Sequence, residues 1–145
     1  MNRVSIRQAT LFDLHAISRL LESASLPTVG VEDHLRNFLV AEIDNMIVGA
    51  IGLEVYYDTG LLRSAVVTTE QQNQGIGTLL YQREIDQARN LGIRRLLLLT
   101  NTAENYFSRK GFTRIDQNTV AGPIMQSVEF SGACPSHAAC MELIL

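Results

Sequence analysis

Cysteine is scarce in this chain, and no long apolar run occurs. Two cysteines in 145 residues, Cys134 and Cys140, are too few for a disulfide framework and read as free thiols in a reducing compartment. The opening MNRVSIRQATLFDL alternates polar and apolar residues instead of building the apolar core of a secretory leader. Nowhere does an apolar stretch approach the ~18 residues of a membrane span. These absences predict a cytoplasmic chain with no membrane partner. Charge of one sign is lacking as well. The net charge is −3 and the Lys and Arg residues are scattered, so no contiguous basic face is available for nucleic acid. A small-molecule partner is expected instead. No repeat or low-complexity segment interrupts the chain. His15 and His34 stand apart from any Ser, Cys or Asp that would make a nucleophilic grouping, and both read as helix-surface residues.

What is present is a core. Of the residues, 46% are hydrophobic, enough for one compact domain over 1–145. RVSIRQA alternates as a short strand, and Thr10 with Asp13 marks a helix start. The helix carries Leu11, Leu14, Ile17, Leu20, Leu21 and Ala24 along one face. SLPTVG ends it, and VEDHLRN predicts a short second helix. FLVAEIDNMIVGAIGLEVYY predicts two strands joined at Asp44-Asn45, a pair that tolerates a tight turn. LLRSAVV is a third strand, GIGTLLYQREIDQARNLG a helix with Ile76, Leu79, Leu80, Ile85, Ala88 and Leu91 as its apolar residues, closed by Gly92, and IRRLLLLT a strand buried on both faces. TAENYFSRKGF reads as a helix closed at Gly111 and TRID as a short strand. From Ala121 the pattern is faint, with a helix start at Pro123 and a last strand in CMELIL. The order predicts an α/β fold, a mixed central sheet with helices on both faces.

The stretch VVTTEQQNQGIGTLLYQ joins a strand to a helix through a polar turn. It lacks the third glycine of a dinucleotide fingerprint, where Leu80 stands, and the Gly-Lys-Ser/Thr of a nucleotide P-loop. What remains is Gln72-x-x-Gly75-x-Gly77 at a helix N-terminus. Unpaired backbone amides and the positive end of the helix dipole converge there, as an anion requires. Glycines at 75 and 77 let a pyrophosphate approach where a Cβ would collide. The alternative is a helix that merely starts with glycines.

That loop, the strand before it and TAENYFSRKGF resemble the GNAT superfamily of acyl-CoA-dependent N-acetyltransferases over nearly the whole chain. SLPTVGVEDHL, GLEVYYDTGLLRS, LLLLTNTAENYF and CPSHAACM further resemble the small acetyltransferases found beside arsenic-resistance genes. The resemblance implies a GNAT fold and acetyl-CoA as cosubstrate. The backbone from Gln72 through Asn73, Gln74, Gly75, Ile76 and Gly77 to Thr78 would hold the pyrophosphate. The strand holding Ala65, Val66 and Val67 would splay from LLLLT, so that the pantetheine arm pairs with the freed backbone of Ala65 and Val67 like an added strand. The Ala65 amide would hold the thioester oxygen, and Asn101 or a neighbour would touch the far side of the arm.

Departures from that pattern concern acid and base. Many relatives carry a tyrosine four residues before Gly-Phe, able to protonate the departing thiolate; this chain has Phe107 there. Tyr106 is adjacent, but one helical residue turns a side chain by about 100°, so it needs a local shift to substitute. Position 61 holds Leu61 and position 63 holds Arg63, which stays protonated and cannot act as a base. Glu54 is then the best placed carboxylate, either taking the ammonium proton directly or through water, or standing as an exposed strand-end glutamate. Arg63 either binds a substrate carboxylate or phosphonate bidentately or pairs with Glu54. Cys134, His137 and Cys140 make a compact soft-ligand cluster that is one ligand short of structural zinc, so packing is expected and no metal is. The expected activity is acetyl transfer to the primary amine of a small molecule, such as an amino acid or analogue, in a ternary complex. The rivals are an acyl-CoA-binding sensor with little turnover, and an arsenite-binding thiol protein. A homodimer is compatible with the chain.

Overall fold

A computed structural model describes residues 3–133 and 138–145. Their elements run β1 (Ser5–Gln8), α1 (Leu14–Ser23), β2 (Leu39–Ile43), β3 (Met46–Tyr56), β4 (Thr59–Val67), α2 (Ile76–Asn90), β5 (Arg95–Thr100), α3 (Glu104–Arg109), β6 (Thr113–Ile115) and β7 (Ala139–Ile144). The segment predicted as a second helix is a 3-10 turn over Glu32–Asn37, and the helix expected at Pro123 is another over Pro123–Gln126. Seven strands form one mixed sheet in the order β1-β2-β3-β4-β5-β7-β6.

Local chemistry sets these boundaries. Asp44 and Asn45 both adopt positive φ, the geometry of a two-residue hairpin between β2 and β3. Ahead of α1, the Asp13 carboxylate accepts the Thr10 N–H at 2.7 Å and is forked by Arg7 at 2.7 and 2.8 Å. The Arg7 guanidinium above all, with the Thr10 N–H, holds the Asp13 pKa down at about 2, against the cost of its burial. One face of the sheet is covered by α2 and α3, whose Ile76, Leu80, Tyr81, Ile85 and Phe107 pack with Ile51, Leu53, Leu62, Leu96 and Leu98. The other is covered by α1 and the turn after it, with Ile17, Leu21 and Leu35 against Phe38, Val40 and Ala50. A third cluster joins Leu61 and Leu97 to Val120 and Ile124 of the tail, so the late segment belongs to the second face. Three residues assigned to apolar helix faces are in fact exposed: Leu11, Ala24 and Leu91. Leu11 lies in the 3-10 turn that precedes α1, where the 3.6-residue period does not apply, and Ala24 and Leu91 are C-caps at helix ends.

Two irregularities of β4 position the site. Ala50 pairs with Val66 but Gly52 with Arg63, so Ser64 and Ala65 together oppose Ile51 in a β-bulge, with Ser64 at φ 60°. On its other side β4 pairs with β5 only through Thr59, Gly60 and Leu61. Beyond Leu61 the two strands separate although both continue.

Candidate active site

The separation of β4 and β5 opens a cleft of about 640 Å³ between Ala65, Val66 and Val67 on one side and Ala103, Tyr106 and Phe107 on the other. Ala65 is exposed in the middle of an otherwise buried strand, because the bulge turns it into this opening. The cleft ends at the start of α2, where Gln72, Asn73, Gly75, Ile76, Gly77 and Thr78 line it. No side chain caps α2. Its first internal bond is Leu79 N–H to Gly75 C=O at 3.0 Å, which leaves the amides of Ile76, Gly77 and Thr78 ahead of the ladder. Asn73 and Gly75 adopt left-handed φ of 66° and 82° in the turn before them. A Cβ on Gly75 would meet nothing within 4 Å, and one on Gly77 only Val67 Cγ2 at 3.7 Å. Packing therefore does not demand a glycine at 77; what its missing side chain leaves is room in the cleft. Gln74 and Asn101 are exposed and do not line the cleft.

The Tyr106 hydroxyl lies 3.4 Å from Thr78 Oγ1, at the α2 end of the cleft. Phe107 turns into the core, 8% exposed, with its ring edge-on to Phe112 at 5.5 Å. Thr100, at the end of β5, accepts the Ala103 N–H through its hydroxyl at 3.0 Å and so opens the turn into α3.

On the opposite face of the sheet, beside the bulge, Glu54 and Arg63 meet. Arg63 Nη1 donates to Glu54 Oε2 at 2.7 Å and both side chains are fully buried. Of the two readings of Glu54, the exposed strand-end glutamate is not found, because the turn at Glu32–Asn37 and the tail cover the side chain. The Tyr56 hydroxyl donates to Glu54 Oε1 at 2.5 Å, and His34 Nε2 stands 3.7 Å from the same oxygen. Burial pushes the Glu54 pKa up, but hydrogen bonds from Tyr56, Ser127 and Arg63 outweigh it and hold the carboxyl below its ordinary value. Arg63 is similarly engaged. Its Nε donates to Ser64 Oγ at 3.0 Å and lies 3.4 Å from Glu129 Oε2, and its Nη2 donates to the carbonyls of Val29 at 2.9 Å and Pro27 at 3.3 Å. The guanidinium thus pins the segment after α1 and the tail to β4 instead of standing open to a ligand. The sequence reading brought Glu54 and Arg63 together but missed His34, Tyr56, Ser127 and Glu129. Only the spacing Glu54-x-Tyr56, which puts both on one face of β3, could have signalled any of them.

Cys140 is buried in β7, and burial pushes its thiol pKa up to about 11, far from a reactive thiolate. Cys134 and His137 lie outside the described residues, among which no three His, Cys, Asp or Glu side chains group as metal ligands. No helix among the described residues is long and apolar enough to cross a membrane.

A splayed strand pair, a bulge and an uncapped helix with a glycine-bearing entrance agree with sequence comparison, in which residues 34–114 match the acetyltransferase (GNAT) domain. The chain belongs to the GNAT family. A GNAT domain of this kind is an acetyl-CoA-dependent acetyltransferase. An uncharacterized N-acetyltransferase of Chlorobaculum tepidum is 26% identical over 97% of this chain and 93% of its own. The amino-acid acetyltransferase of Neisseria meningitidis is 31% identical over 75% of this chain, but the match spans only 27% of that enzyme. Among solved structures, N-acetylglutamate synthase of Neisseria gonorrhoeae, complexed with coenzyme A and N-acetyl-glutamate, superposes on this GNAT domain with a TM-score of 0.84. Identity there is 26%, over 99% of this chain and 35% of the synthase.

Proposed function

We propose that this GNAT domain moves an acetyl group from acetyl-CoA to the primary amine of a small molecule, an amino acid or an analogue, by direct attack in a ternary complex. The observation that carries this reading is the missing β4–β5 pairing beyond Leu61, which ends at the free amides of α2. An extended pantetheine arm fits that gap, pairing with the backbone of Ala65 and Val67 as a short extra strand. Its pyrophosphate falls on the amides between Gln72 and Thr78. The Ala65 amide, turned inward by the bulge, is placed to stabilise negative charge on the thioester oxygen as the amine adds. The names of the relatives that act on amino acids support an acceptor bearing both an amine and an acid.

Tyr106 belongs, in this reading, to the phosphate end. Its contact with Thr78 supports a role in holding the cosubstrate, and the thiolate departs without a tyrosine donor at position 107. Arg63 supports the acceptor side by fixing the backbone at Pro27 and Val29. The test is thiol release from acetyl-CoA with a panel of L-amino acids and simple amines, run beside the melting-temperature shift caused by acetyl-CoA. Turnover with an amine that tracks that shift is expected. A shift without turnover across the panel would instead support an acyl-CoA-binding sensor.

A further inference from the structure

The cleft between β4 and β5 is lined almost entirely by neutral groups. Gln71, Gln72 and Asn73 bring amides to it, and Ala65, Val66 and Val67 bring backbone and methyl groups, but none of them carries a full charge. Among the described residues that line the cleft, Arg109 alone is charged. It ends α3, its side chain is exposed, and no hydrogen bond or ion pair engages that side chain among the described residues. The neighbouring cations are occupied. Lys110 Nζ lies 5.4 Å above the Tyr106 ring and 5.5 Å above that of Tyr81, and Arg114 Nη1 stands 3.3 Å from Glu104 Oε1.

The place of Arg109 gives its free charge a direction. Tyr106, three residues earlier and about 4.5 Å back along the helix axis, touches Thr78 in the first turn of α2. Asn105 lies one turn before Arg109, on the same face of α3, and lines the cleft as well. Asn105 and Arg109 therefore flank the end of the cleft that opens at the α2 amides.

We propose that Arg109, assisted by Asn105, binds the 3′-phosphate of the cosubstrate's adenosine, and so makes the protein select coenzyme A over its 3′-dephospho form. This rests on acetyl-CoA lying along the cleft as proposed above. With the pantetheine arm between β4 and β5 and the pyrophosphate on the α2 amides, the 3′-phosphate is the next anion along the molecule, and this flank of α3 is the next donor surface. The two kinds of phosphate need different partners. A pyrophosphate spreads its charge over two linked groups, which a row of N–H donors and a helix dipole satisfy. The 3′-phosphate is a monoester with a charge of about −2 at neutral pH and three terminal oxygens, which a guanidinium meets as a two-bond fork. Asn105 adds a neutral amide donor. The chain as a whole carries a net charge of −3, so a cation at this point also offsets the repulsion that a polyanionic ligand meets.

Isothermal titration calorimetry of wild type, Arg109→Gln and Arg109→Lys with CoA and with 3′-dephospho-CoA tests this. Wild type should bind CoA roughly 3- to 10-fold more tightly than 3′-dephospho-CoA, the size of an exposed but well-aligned charge pair. Arg109→Gln should abolish that preference by weakening CoA binding alone, with the dissociation constant of 3′-dephospho-CoA and the melting temperature unchanged. Arg109→Lys should keep part of the preference, because a point charge remains without the fork. Equal affinity of wild type for the two ligands would overturn the proposal while leaving the cosubstrate reading intact, and that comparison depends on no variant. An equal loss for both ligands in Arg109→Gln would also overturn it, since a structural role or a pyrophosphate contact weakens both together. Wild type that binds neither ligand would overturn the cosubstrate reading and the proposal with it.

Discussion

At the scale of single residues, Glu84 carries a clear energetic cost. It lies fully buried on α2, and neither carboxylate oxygen has a hydrogen-bond partner. Desolvation raises its pKa from 4.5 to about 9, so the folded protein carries it neutral. The unfolded chain ionises above 4.5 while the folded one does not. Stability is therefore fully present below that pH and lost as pH rises towards 9, by about 3 kcal/mol at pH 7. Urea unfolding of wild type and Glu84→Gln should show the variant gaining on wild type across this window, with the gap closing near pH 4. A constant gap would mean that the carboxyl finds a charged partner. The same logic with the opposite sign applies to Asp13, whose depressed pKa makes its contribution present above 3.8 and lost as pH falls through about 2. Asp13→Ala should cost about 2 kcal/mol at neutral pH, read by the same unfolding experiment.

At the scale of elements, the entrance to α2 separates two glycines that look equivalent in sequence. Gly75 sits at φ 82°, so any side chain there strains the fold as well as filling the cleft. Gly77 is helical with room around its missing Cβ. Gly77→Val should keep the wild-type melting temperature yet lose the stabilisation by acetyl-CoA, worth roughly 2.7 kcal/mol at one hundred times the dissociation constant. Gly75→Val should lose both, and a normal acetyl-CoA shift in Gly77→Val would show that the pyrophosphate does not rest there. These elements were legible in sequence because each carries its own local signal: Asp44-Asn45 for a hairpin, four leucines for a strand buried twice, two glycines before a helical period. The cluster around Glu54 was not legible. Its members lie up to 95 positions apart (34 to 129), and no period or spacing joins them. The turn at Glu32–Asn37 also tightens to 3-10 geometry, so His34, read as the outer face of a helix, instead comes against Glu54.

At the scale of the whole molecule, the Arg63–Glu54 pair fastens the turn after α1 and the tail to the central strands. Glu54→Gln removes the carboxylate 2.7 Å from the buried guanidinium and leaves it Glu129 at 3.4 Å, so it should cost about 3 kcal/mol of stability, and its activity is interpretable only below its lowered melting temperature. Calorimetry of this variant beside wild type reads that loss directly. The three-residue contact between β4 and β5 has a separate consequence. Four strands lie on one side of it and three on the other, joined across the middle of the sheet by Thr59, Gly60 and Leu61 and by the helix above. Such a sheet has a seam, and without cosubstrate the two halves can breathe along it as nearly independent leaves. Amide hydrogens of Arg63–Val67 and Leu98–Thr100 should exchange with deuterium faster than those of β3, and acetyl-CoA should slow them together, because the bound molecule supplies the missing stitches.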